Sequence, residues 1–71
     1  MTINRGDKTI HTEWRKYYEF LEVLRLIGIV DAYESSIMLQ TWYGVPLEDG
    51  GTVFSNWKHN YEELRALYGW A

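Results

Sequence analysis

Cysteine is absent from this 71-residue chain, proline occurs once and histidine twice. Without cysteine, neither a disulfide framework nor a thiolate metal site can reinforce a domain of this size. The longest apolar run, residues 26–30 with Gly28 inside it, is far too short to span a bilayer. Residues 1–5 lack the apolar segment of a secretory signal, so the expectation is a soluble, cytoplasmic protein. Positive charge is also scarce. Seven Lys and Arg face ten Asp and Glu, a net charge of −3. Phosphate backbones favour basic surfaces, because each neutralised phosphate releases counterions. The balance therefore disfavours nucleic acid as a partner, although it leaves room for a local basic patch.

Catalysis finds little to work with. His11 and His59 are far apart in the sequence, and Ser35, Ser36 and Ser55 have no nucleophile elbow or glycine-rich frame around them. His59 and Glu63 have the i,i+4 spacing of helix metal ligands, but two ligands rarely define a site. Gly50-Gly51 lacks the lysine and the spacing of a phosphate loop. The reading is a non-enzyme with no catalytic residue, metal or cofactor.

What the chain does have is aromatic surface: four tryptophans, six tyrosines and two phenylalanines, within an apolar content of 46%. That is enough for a compact core and too much for a disordered chain. Phe54, Trp57, Tyr61, Leu64 and Tyr68 follow a 3-4-3-4 spacing, which places all five on one side of a helix. A first helix starts near Thr9 or Thr12 and runs to Ile27, with Trp14, Tyr17, Phe20, Leu21 and Leu24 on one face and Arg15, Glu19 and Glu22 on the other. Glu22 and Arg25 have pairing distance along it. Gly28-Ile29 reads as a helix stop. Asp31 caps a second helix from Ala32 to about Tyr43, with Glu34 at capping-box spacing. Gly44 ends that helix, and Val45-Pro46 prevents its resumption. Two adjacent glycines cost roughly 1 kcal/mol each inside a helix, so the third helix is expected after Gly51. The fold class is all-α: a flexible arm over residues 1–10, then a compact three-helix domain over residues 11–71.

Residues 37–57 have features of a helix-turn-helix. Leu39 precedes the Gly44-Val45 turn, and Val53 and Trp57 follow at positions that fill the angle between two helices. Three departures weigh against it. Gln40 occupies the place of the small residue that lets such helices cross, Pro46 and the double glycine lengthen the connection, and Glu48-Asp49 begins the would-be recognition helix.

The run from Phe20 to Ile29, followed by Tyr33, Met38-Leu39-Gln40, Tyr43-Gly44-Val45 and Trp57, resembles small uncharacterised proteins of bacteriophages and mobile elements. The resemblance implies a shared helical fold and a role in regulation or in countering host machinery. It brings no catalytic residues.

Tyrosine and tryptophan dominate binding hot spots, because they offer large area at small rotamer cost. With Trp42 assigned to the core, the expected function is an accessory or inhibitor protein that binds a host or phage protein. Tyr18, Tyr43, Tyr68 and Trp70 are the expected anchors, with Glu62 and Glu63 as a polar rim. The alternative is a DNA-binding regulator using Asn56, Lys58 and His59, helped by Arg5 and Lys8 on the arm. A virion or homo-oligomeric structural protein comes third, the residue 54–68 stripe pairing across a dimer.

Overall fold

The computed structural model describes residues 9–70. Among them there are helices and connections and no strand: a 3-10 turn Thr12–Trp14, then α1 (Arg15–Leu26), α2 (Ala32–Tyr43), α3 (Leu47–His59) and α4 (Tyr61–Tyr68). The all-α class holds, with four helices rather than three. The long C-terminal helix is interrupted at Asn60, where φ is −108° and ψ is 15°. Asn60 is buried, and its side-chain amide donates to the Asn56 carbonyl at 3.0 Å. The aromatic stripe survives the break, since Phe54, Trp57 and Leu64 are buried and Tyr61 and Tyr68 are half-buried. Phe54, Trp57 and Leu64 of the stripe thus face the core of the chain itself.

The punctuation behaves largely as its chemistry dictates. Gly28 takes φ 99°, so Ile29 N–H reaches back to the Leu24 carbonyl at 2.8 Å. The Asp31 carboxylate accepts from Glu34 N–H at 2.9 Å and caps α2. Gly69 takes φ 72°, and Trp70 folds back to within 6.0 Å of the Tyr61 ring and 5.9 Å of the Tyr68 ring. Neither Thr9 nor Thr12 caps α1, which begins after the 3-10 turn with no side-chain cap.

The largest departure from expectation is α3, which starts at Leu47 and contains both glycines. A Cβ on Gly50 would lie 3.2 Å from Cα and Cβ of Ser36, so glycine is what allows α2 and α3 to approach this closely. A Cβ on Gly51 would meet nothing within 4 Å. The connection between α2 and α3 is therefore only residues 44–46, and the small pair at the crossing is Ser36 with Gly50, Gln40 being exposed. Two of the three departures from a helix-turn-helix thus disappear. The acidic start of α3 remains.

Leu21, Leu24, Leu39 and Leu64 are within 2% of full burial. Each contributes about 2 kcal/mol of apolar transfer free energy. Val45, Val53, Phe54 and Trp57 complete the core around the α2–α3 angle. Through its centre runs a polar chain. The Tyr18 hydroxyl donates to Asn56 Oδ1 at 2.7 Å and accepts from His11 N–H at 3.1 Å, and the Asn56 amide donates to the Thr9 carbonyl at 2.8 Å. Thr9 and Ile10, assigned to the arm, are therefore fastened to the domain, Ile10 packing against the core. The rest of that arm lies outside the described residues.

Candidate protein-binding cleft

A cleft of about 310 Å³ opens where the start of α1 meets the α2–α3 turn. Trp14 and Tyr17 come from the first turns of the helical chain. Tyr43, Gly44, Val45 and Pro46 come from the turn, and Asp49, Thr52 and Val53 from α3. The geometry follows from local rules. Gly44 takes φ 69° and stops α2, so Tyr43 is left at its end with 42% of its surface exposed. Pro46, at φ −56°, precedes α3, and Asp49 is exposed in its first turn. Tyr17 and Tyr43 meet edge to face, with centroids 5.6 Å apart and planes at 78°, and Phe20 backs Tyr43 in the same manner at 5.1 Å. Lys16 Nζ lies 5.3 Å from the Tyr17 centroid and 6.0 Å from that of Tyr43. Next to Tyr43 and Pro46 in the sequence, Trp42 is 66% exposed and Leu47 42%.

Among the described residues, ion pairs join Arg15 to Glu19, Arg25 to Glu22, Arg65 to Glu62 and His11 to Glu13. None involves Asp49 or its exposed neighbour Glu48.

The α1–α4 face behaves differently. Glu22, expected on the polar side of α1, is 6% exposed. Its two oxygens accept from Arg25 at 3.0 and 2.8 Å, and one also accepts from the Tyr61 hydroxyl at 2.9 Å. The Arg25 guanidinium lies 5.3 Å from the Tyr61 centroid. The hydrogen bond from Arg25 holds the Glu22 carboxyl below the ordinary glutamate range against the opposing effect of burial. Burial, reinforced by Glu22, pushes the Tyr61 hydroxyl up. Further round, Val30, Phe54, Trp57 and Lys58 join Arg25 and Tyr61 around a second recess of about 390 Å³.

A scan against models of protein families found no match. Searches of curated proteins and of solved structures found none either.

The expected anchors are distributed unevenly. Tyr43 lines the cleft, whereas Tyr68 and Trp70 pack together at the end of α4, where Arg15 sits 4.7 Å over the Tyr68 ring. Tyr18 cannot be an anchor, because it is 0% exposed and its hydroxyl is bonded inside the core. Glu62 and Glu63 are exposed on α4, Glu62 in its pair with Arg65 at 3.4 Å. Of the DNA-facing set, Asn56 is buried and engaged with Tyr18 and Thr9, while Lys58 and His59 are exposed at the end of α3. Arg5 and Lys8 lie outside the described residues. Sequence reasoning missed Trp14, Tyr17 and Asp49 as cleft residues and placed exposed Trp42 in the core. Trp14 and Tyr17 fall on the apolar face of α1, but at its start, where the core no longer covers them completely. Among the described residues, no group of three potential ligands could hold a metal ion, and no helix is long and apolar enough to cross a membrane.

Proposed function

We propose that this chain is a small accessory or inhibitor protein of phage type that binds a host or phage protein through the cleft beside the α2–α3 turn. The observation that carries the reading is the cleft itself: aromatic walls from Trp14, Tyr17 and Tyr43, Asp49 with no ion pair among the described residues, and exposed Trp42 and Leu47 adjoining its lining residues in the sequence. Rigid rings with a polar group among them are the composition of an interface centre. The phage-type origin rests on the pattern of helix stops and core positions in the sequence.

The second reading is a DNA-binding regulator. It is favoured by the three-residue turn and the Ser36–Gly50 approach, which give α2 and α3 a helix-turn-helix-like connection, and by exposed Lys58 and His59. Against it, the first turn of α3 presents Glu48 and Asp49, and Arg15, Arg25 and Arg65 are all paired with acids of their own helix. Immobilised protein should retain a partner from a bacterial lysate and lose it when Trp42 and Tyr43 are replaced by alanine. A mixed-sequence duplex should show no binding at low salt. Tight, steeply salt-dependent duplex binding that Lys58→Ala weakens would replace the first reading with the second.

A further inference from the structure

The chain twice builds the same three-part assembly. Arg15 Nε donates to Glu19 at 3.1 Å while its guanidinium lies 4.7 Å over the Tyr68 ring. Arg25 donates to Glu22 at 2.8 and 3.0 Å while lying 5.3 Å over Tyr61. In each, a guanidinium bonds a carboxylate and also lies over a tyrosine ring. That combination suits Arg, which is flat, weakly hydrated and able to donate in a fork. The cleft beside the α2–α3 turn brings together the carboxylate of Asp49 and the rings of Tyr17 and Tyr43, and no described arginine lines it.

We propose that this cleft receives an arginine side chain of the protein partner, its guanidinium on Asp49 and its flat face against the aromatic wall. The inference rests on the protein-binding reading above and names what that partner presents. Lys16 Nζ lies 5.3 Å and 6.0 Å from the Tyr17 and Tyr43 centroids, yet it makes no ion pair with Asp49. The positive end of α3 does not oppose a cation here. A helix terminus carries about half a positive charge, and Glu48 and Asp49 stand in its first turn. A lysine would offer a point charge that keeps its water, so arginine is the better match.

The test is a titration of the isotopically labelled full chain with N-acetyl-arginine amide, followed by amide and indole NMR shifts. N-acetyl-citrulline amide, equal in shape and uncharged, is the control. Saturable shifts are expected at Gly44, Asp49, Thr52 and the Trp14 indole, with a Kd on the order of 10 mM for so small a probe. Citrulline should bind about threefold to fivefold more weakly, and so should arginine to Asp49→Asn, the scale of one exposed ion pair. Asp49 is on the surface, so this variant should fold, which its unperturbed core resonances would show. Equal binding of the two probes, shifts confined to Trp57, Lys58 and Tyr61, or no shift at all would each overturn the proposal. The lysate capture, read separately, would still decide whether a protein partner exists.

Discussion

The α1–α4 face and the cleft beside the α2–α3 turn are made from the same kinds of group: a carboxylate, tyrosine rings and a basic side chain. On the first, Glu22, Arg25 and Tyr61 satisfy one another, and the carboxylate is buried under the contact they make. On the second, the ring faces meet Lys16 but the carboxylate of Asp49 meets no cation of the described chain. Closure decides the role. A group whose partners are internal holds the fold together, whereas one with incomplete internal partnering is available to something else.

The same acid-to-amide change at the two sites should therefore give opposite results. Glu22→Gln should destabilise by about 2 kcal/mol, because it weakens charge-assisted hydrogen bonds in a buried place. Chemical denaturation checks this through a lower midpoint at unchanged slope. The pH dependence sharpens the contrast. The folded carboxyl of Glu22 is held below its ordinary value of 4.5, so its contribution is complete above that value. It is lost as the pH falls through the lower, folded value. Wild-type stability should drop over that acidic range more steeply than that of Glu22→Gln. If the two curves stay parallel, the Glu22 contact is not what the acid breaks.

A smaller effect is expected next to the cleft. Gly51→Ala should stabilise by about 1 kcal/mol, since its Cβ meets open space and alanine is the better helix former. Gly50→Ala should give up that gain against Ser36 and come out less stable than Gly51→Ala, measurable as a difference in Tm. The smallest effect belongs to the cleft acid. Asp49→Asn should change stability by less than about 0.5 kcal/mol, while reducing retention of a partner. A large loss of stability there would erase the distinction between the two sites.

These contrasts also mark what could be read from residues alone. Helix stops were legible because Gly28, Gly44 and Gly69 act through the backbone, where one residue is enough. The Glu22–Arg25 pair was legible from its spacing. Burial of Glu22 was not, because it depends on Tyr61 arriving from a helix 39 residues away. Gly50-Gly51 was misread for a related reason. Propensity counts the cost of glycine in a helix, but the gain at Gly50 is a tertiary approach to Ser36 that the local sequence does not contain. The cleft was half visible, its rings recognisable as aromatic positions and its acid as a helix-end residue. That they share one wall follows from how tightly the chain turns between Tyr43 and Leu47.

Two of the long-range hydrogen bonds have a further meaning when taken together. Tyr18 and Glu22 are one turn apart on α1, and they reach Asn56 on α3 and Tyr61 on α4. The hydrophobic driving force is non-directional and scales with the apolar area removed from water. These two hydrogen bonds are directional. A slip of α1 by one turn would part the Tyr18 hydroxyl from Asn56 and the Glu22 carboxylate from the Tyr61 hydroxyl, leaving Glu22 only Arg25 of its own helix. They work as two marks on a ruler, and they give a chain rich in aromatic rings a single alignment.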